Sequence, residues 1–158
     1  MSRWLAAGVA VFTVAANFLL VQYLWGSGFM SRVLIPGVLD FAPTFNRGVS
    51  FGLLAQNSPA GCHMLIALLV AITLGVAIMA WRATTLIASA GYGLILGGAL
   101  ANLFDRLFNG EACAVFDFLA LHLGKIPLFI CNFPDIAISA GVVLLLAETL
   151  FAKRTAAH

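Results

Sequence analysis

The chain carries six carboxylates in 158 residues: Asp40, Asp105, Glu111, Asp117, Asp135 and Glu148. Two stand apart. Asp117, in "VFDF", and Asp135, in "NFPD", are flanked by Phe116, Phe118, Phe133 and Ile136, and neither has a cation beside it. Two carboxylates brought together at an apolar boundary cannot comfortably both ionise, so they share a proton and become one base and one acid. Such a pair can activate water on one side of an amide and protonate the other. It could equally serve a proton or cation path, and the residue types alone leave both readings open. Taken singly, Asp135 also reads as a capping acid. Asn132 is placed to cap a helix, Pro134 falls in its first turn, and an anion there is stabilised by the helix dipole.

The other acids have simpler explanations. Asp105 adjoins Arg106 and reads as half of a structural ion pair, Glu111 follows the turn Asn109-Gly110, and Glu148 precedes Lys153 and Arg154. Ser50, Ser58 and the three cysteines are candidate nucleophiles, but nothing places a base beside them. His63, His122 and His158 are scattered, without the i, i+4 spacing of a helical metal pair. A zinc set of Cys113, His122 and Cys131 lacks CxxC or HxxxH spacing, so no metal is expected. No glycine-rich phosphate loop follows a strand, and no organic cofactor is expected. Net charge +2 without a basic cluster argues against nucleic acid.

The elements that must position these acids are apolar. Hydrophobic residues make up 63% and charged residues 9%, against about 25% charged in an average soluble domain; mean hydropathy is +1.07. Uncharged runs cover Trp4–Gly28, Cys62–Trp81 and Ala83–Phe104, and a fourth runs from Ile136 to Ala152 with Glu148 as its one charge. A helix needs about 20 such residues to cross a bilayer. The expectation is an all-α integral membrane protein, made as one domain over 1–158, with four transmembrane helices near 4–25, 62–81, 84–104 and 136–152. The first run exceeds the usual apolar core of a cleaved signal and lacks a small-x-small site after it, so it reads as a retained helix.

Two connections, 26–61 and 105–135, lie on one side of the membrane. The first contains "RVLIPGVLDFAPTFNRGVSFG", which predicts a small β-rich cradle of short strands and turns at the membrane surface. Lys and Arg divide four against four between the two sides. Arg82 in a very short turn, with Lys153 and Arg154 after the last helix, favours cytoplasmic termini. Cys113 and Cys131 could pair in an oxidising compartment, leaving Cys62 free; small hydrophobes at the membrane edge is the preferred reading. In the third helix Gly93, Gly97 and Ala101 share a face suited to close helix packing. Packing does not explain Asn102, Asp105 and Arg106, which project from one side of its outer end, and polar groups at membrane depth mark function by default.

Four motifs now fall in order: "NRGVSFG" (Asn46–Gly52), "GGALANLFDR" (Gly97–Arg106), "VFDF" (Val115–Phe118) and "NFPDIAI" (Asn132–Ile138). Together they resemble the lipoprotein signal peptidases, or signal peptidase II, over nearly the whole chain. The resemblance implies a multi-pass aspartic endopeptidase of the bacterial inner membrane, acting on diacylglyceryl-modified prolipoproteins and cutting just before the modified cysteine. It implies that Asp117 and Asp135 are the catalytic pair, with Asn46, Gly48, Asn102, Arg106 and Asn132 around them. Membrane lipids are the other expected partners, and one chain holding both aspartates suffices as a monomer.

The sequence also departs from the family pattern. Asn17 and Val21 stand where a D-x-x-x-K pair is usual, which reads as loss of a structural pair, and Asp105 and Asn17 are assigned to a structural network. Pro134, Cys131 and Ile136 replace the usual Ala, Phe and Ser around the second aspartate. These changes motivate an alternative, a non-catalytic relative that binds lipidated signal helices or peptidase inhibitors. A small proton-coupled transporter would need acids deep in the helices, whereas these sit at helix ends.

Overall fold

A computed structural model describes residues 2–28, 30–48, 58–108 and 113–155. Ser50 and the end of the "NRGVSFG" motif, the Asn109-Gly110 turn, Glu111 and His158 lie outside the described residues. The chain runs α1 (Ser2–Ser27), β1 (Arg32–Ile35), β2 (Leu39–Asn46), α2 (Pro59–Arg82), α3 (Leu86–Phe108), β3 (Val115–Leu123), β4 (Ile126–Cys131) and α4 (Phe133–Thr155). All four helices are long and apolar enough to cross a membrane. Most helix ends lie beyond the uncharged runs, because capping side chains set them. Ser58 accepts a hydrogen bond from the Gly61 N–H at 3.1 Å with Pro59 opening α2, and Thr85 accepts from the Ala88 N–H at 3.0 Å before α3.

Helix α3 packs against all three other helices. Its small residues make this possible on two faces. A Cβ on Gly97 would come within 2.6 Å of the Thr13 Cβ and 2.8 Å of the Ala10 carbonyl on α1, and one on Gly98 within 2.6 Å of the Pro134 carbonyl on α4. The expected Gly93/Gly97 face is therefore the α1 seam, where any side chain would push the backbones apart. Gly91 and Gly98 form a second seam against α4, Gly98 at Pro134 and Ile138 in its first turns and Gly91 at Gly141 and Leu145 further along.

The four strands make one antiparallel sheet in the order β1-β2-β3-β4. Half of it comes from the second connection, where the sequence reading placed no strands. The period-2 signal is lost there because Val115 to Phe118 are buried on both faces of β3. The two hairpins turn at Gly37 and Gly124, both at positive φ, and the turns hydrogen-bond each other through Gly124 N–H and the Gly37 carbonyl at 2.9 Å. On β2 the register against β3 slips by one residue between Phe41 and Thr44, a bulge that accommodates Pro43. Phe41, Phe116 and Phe118 cluster on Leu24 of α1, anchoring the sheet to the helical bundle.

A disulfide joins Cys62 and Cys113, while Cys131 is free and buried. This corrects both sequence readings, the preferred one of three unpaired cysteines and the alternative Cys113–Cys131 pairing. Cys131 pairs with Leu119 across the β3–β4 ladder, four residues and so about 13 Å along β3 from the end at which Cys113 enters it. The Cys62 and Cys113 Cα atoms are 5.6 Å apart, within bonding reach. The bridge fastens the first turn of α2 to the start of β3. Closing a loop across a separation of 51 residues stabilises by about 4 kcal/mol in the chain-entropy account. A Cys113→Ala variant in detergent should therefore melt several degrees below the parent, and reductant should lower only the parent's midpoint. Identical melting of the two proteins under oxidising conditions would refute the tie.

Candidate active site

Asp117 sits in the middle of β3, and Asp135 is the third residue of α4. Thr44 pairs with Asp117 and Asn46 with Val115 across the ladder, so Asn46 lies diagonal to Asp117. Its Nδ2 donates to Asp117 Oδ2 at 3.0 Å, and its Oδ1 accepts from the Gly48 N–H at 2.9 Å. Both ends of that amide are thereby committed, which fixes its orientation.

Asp135 is held by the start of its own helix. Asn132 caps α4 by accepting the Asp135 N–H at 2.9 Å, and Asp135 Oδ2 accepts the Asn132 N–H at 3.2 Å. This is a capping box with aspartate in the usual glutamate place. The other oxygen, Oδ1, accepts from Asn102 Nδ2 at 3.0 Å, and Asn102 Oδ1 accepts from Asn132 Nδ2 at 2.9 Å. Asn102, Asn132 and Asp135 thus form a closed ring of hydrogen bonds linking α3 to the start of α4.

Arg106 is 7% exposed. It donates from Nη1 to the Asn102 carbonyl at 3.2 Å and from Nη2 to the Gly48 carbonyl. It therefore joins α3 to the segment that follows β2. The two aspartates, Asn46, Asn102 and Arg106 all line one cavity of about 430 Å³, whose remaining walls are apolar side chains such as Ile72, Val76, Ile95 and Ile138.

Burial is the dominant electrostatic effect here. Asp117 is 2% exposed, and its Oδ1 has no hydrogen-bond partner among the described residues. Desolvation pushes its pKa up to about 6, the Asp135 charge adds to the rise, and the Asn46 hydrogen bond and Arg106 oppose it. Burial, then the charges of Asp135 and Asp117, push the Cys131 thiol to about 11. Cys131 therefore stays protonated near neutral pH and lines the cavity as a small, weakly polar group.

Seven of the residues singled out from sequence are brought together: Asp117, Asp135, Asn46, Gly48, Asn102, Arg106 and Asn132. Asp105 and Asn17 lie elsewhere, on the α1–α3 side of the bundle. Asp105 makes no ion pair with Arg106 among the described residues; its Oδ2 accepts from the Phe116 N–H at 3.4 Å instead. Neighbouring helix residues point about 100° apart, so Arg106 turns into the cavity while Asp105 turns toward β3. Cys113, held in the disulfide, is not available to the zinc set drawn with His122 and Cys131. Sequence reasoning missed the contribution of α2. Thr73, a buried hydroxyl in the middle of an apolar run, was the available signal for the cavity wall.

Residues 5–151 match the family described as signal peptidase (SPase) II. The chain belongs to the signal peptidase II family. It is 35% identical over 157 residues to the lipoprotein signal peptidase of Methylocella silvestris, covering 98% of this chain and 90% of that one. The lipoprotein signal peptidase of Nitrobacter hamburgensis is 33% identical, covering 91% and 88%. A bacterial membrane enzyme structure solved by the in meso method at 2.3 Å resolution shares the fold, with a TM-score of 0.77 at 21% identity over 94% of this chain and 88% of that one.

In this signal peptidase II family member, Pro134 is absorbed by the helix start. It is the second residue of α4, where a missing N–H leaves no helical bond unmade, and its carbonyl lies over Gly98. The proline therefore keeps the Asn132–Asp135 cap intact.

The raised pKa of Asp117 has a consequence for stability. A carboxyl whose folded pKa lies above its unfolded value of about 3.9 favours the folded state fully below pH 4, and that contribution is lost as pH rises through about 6. An Asp117→Asn variant removes the buried charge and should be more stable than the parent at pH 7.5, by about 3 kcal/mol. The difference should close below pH 4. Thermal melts of both proteins in detergent across that range check the sign, and a variant less stable at pH 7.5 would refute it.

Proposed function

We propose that Asp117 and Asp135 are the catalytic pair of this lipoprotein-processing membrane peptidase. The observation that carries this reading is the shared cavity, with an ionisable carboxyl on each side and the free Oδ1 of Asp117 buried beside it. Asp135, held by two hydrogen-bond donors at a helix N-terminus, is the anion that accepts a proton. Asp117, whose buried carboxyl titrates near 6, holds the proton to be donated.

A water molecule between them attacks the scissile carbonyl carbon. Its proton passes to Asp135, and the proton of Asp117 passes to the carbonyl oxygen, giving a neutral gem-diol. On collapse, Asp135 returns its proton to the amide nitrogen, the C–N bond breaks, and a hydroxyl of the diol re-protonates Asp117. Arg106 and Asn46 do not transfer protons. They hold the carboxylates in place and limit how far burial raises the pKa of Asp117.

The substrate of this reading is a diacylglyceryl-modified prolipoprotein, cut just before the modified cysteine. The site lies where the sheet meets the helix ends, a position that lets water and a membrane-embedded signal helix meet. The chain resides in the bacterial inner membrane with cytoplasmic termini and acts as a monomer, because one chain supplies both carboxylates.

The purified protein with a diacylglyceryl-modified prolipoprotein tests the assignment. Asp117→Asn and Asp135→Asn should each lower the cleavage rate by about 1,000-fold or more while still binding substrate. Retained cleavage by either variant would remove that residue from the pair. Binding without turnover by the parent protein would favour the non-catalytic alternative.

The pH profile tests the roles. Because Asp117 acts protonated, kcat/KM should fall as pH rises past about 6, the value to which burial brings it. Asn46 lowers the pKa of Asp117, so Asn46→Ala should move the alkaline limb to higher pH. A limb that moves down, or stays in place, would assign the protonated role elsewhere.

A further inference from the structure

A second cavity, of about 970 Å³, lies between α1 and α3, on a face of α3 different from the one that bears the aspartate pair. Its size is at the upper end of the roughly 300–1,000 Å³ seen for small-molecule sites. Val14, Phe18, Val21, Leu100 and Phe104 make it apolar, and three of its lining residues carry polar side chains of interest: Asn17, Gln22 and Asp105. Asn17 is 5% exposed, yet among the described residues its side-chain amide has no hydrogen-bond partner. Buried amides are nearly always paired, so an unpaired one facing a cavity points to a ligand. Asp105 has no cation within ion-pair distance among the described residues, and one oxygen accepts only a long bond from the Phe116 N–H. A half-buried carboxylate at the edge of an apolar crevice calls for a cation with N–H donors.

The two polar groups lie at different depths. Gly97 abuts Ala10 and Thr13, and α1 and α3 run in parallel through the bundle. One turn further along both helices, Ala101 faces Asn17, and Asp105 lies a further turn toward the sheet-bearing end, about 5 Å away. From that end, a ligand would meet in order a carboxylate, an amide, and then an apolar trough. A phospholipid with a primary ammonium head group has the matching sequence: ammonium donors, then phosphate ester oxygens that accept from an amide N–H, then acyl chains.

We propose that the α1–α3 crevice is a binding site for a phosphatidylethanolamine-type lipid, with its ammonium on Asp105, a phosphate ester oxygen on the Asn17 amide and one acyl chain along Val14, Phe18 and Leu100. The site is separate from the aspartate pair, and this inference does not rest on the proposed catalytic roles. The quaternary ammonium of phosphatidylcholine has no N–H to donate, and phosphatidylglycerol carries the same phosphate with no ammonium to place on Asp105. Both should bind less well.

Native mass spectrometry of the full chain in detergent, with equimolar phosphatidylethanolamine, phosphatidylcholine and phosphatidylglycerol, tests the site. The parent should retain the ethanolamine lipid about tenfold over each of the others, the ratio expected for one charge-assisted hydrogen-bonded contact. Asp105→Asn, which can still accept from the Phe116 N–H, should bring the ethanolamine-to-choline ratio close to one. Val14→Trp fills the trough away from both polar groups and should abolish selective retention altogether. No preference in the parent would overturn the site, as would a preference that survives either substitution. If Asp105→Asn does not fold, Val14→Trp decides the question, because it leaves the Asp105–Phe116 contact in place.

Discussion

The buried guanidinium of Arg106 is the interaction on which the site depends. It sits at the end of α3 among three carboxylates and faces the cavity lined by Asp117 and Asp135. A cation buried in a weakly solvated site needs such company, because an isolated charge there costs several kcal/mol. Two of its hydrogen bonds also tie the site together. One reaches the carbonyl of Asn102, which orients Asp135, and the other the carbonyl of Gly48, whose N–H orients the amide on Asp117. The same side chain therefore connects both halves of the site.

That connection is needed because the two aspartates come from different kinds of scaffold. Asp117 rides on a strand and is placed by ladder register, whereas Asp135 rides on a helix start and is placed by capping geometry. The bulge at Pro43 brings Thr44 opposite Asp117 and so sets which β2 side chain can reach it. The glycine seam at Gly98 sets how closely the start of α4 approaches α3 and hence Asn102. A shift at either place would separate the two carboxylates without altering either aspartate.

Helix α3 is the common reference for both halves. Its faces are divided: Gly93 and Gly97 to α1, Gly91 and Gly98 to α4, Asn102 and Arg106 to the cavity, and Asp105 to the α1 crevice. The neighbours Asp105 and Arg106 look in sequence like an ion pair, but the helical turn sends them to opposite tasks. Asn17 and Val21 line that crevice and not the cavity of the aspartate pair.

The sequence by itself determined the four apolar helices, the cap at Asn132 and the residues that gather at the site. Long uncharged runs and local capping chemistry are properties of neighbouring residues, and the ordered motifs around Asn46, Asn102, Asp117 and Asp135 carried the rest. Tertiary structure decided what depends on distance between remote segments. Strand β3 was hidden because a strand buried on both faces loses its alternation, and β4 because its apolar run Ile126–Ile130 is exposed throughout and so shows no alternation either. The Cys62–Cys113 bridge could not be chosen from spacing, because pairing depends on where the start of α2 meets the start of β3. The raised pKa of Asp117 likewise follows from desolvation by the packed sheet and helices, a quantity that no residue's immediate neighbours in the chain can fix.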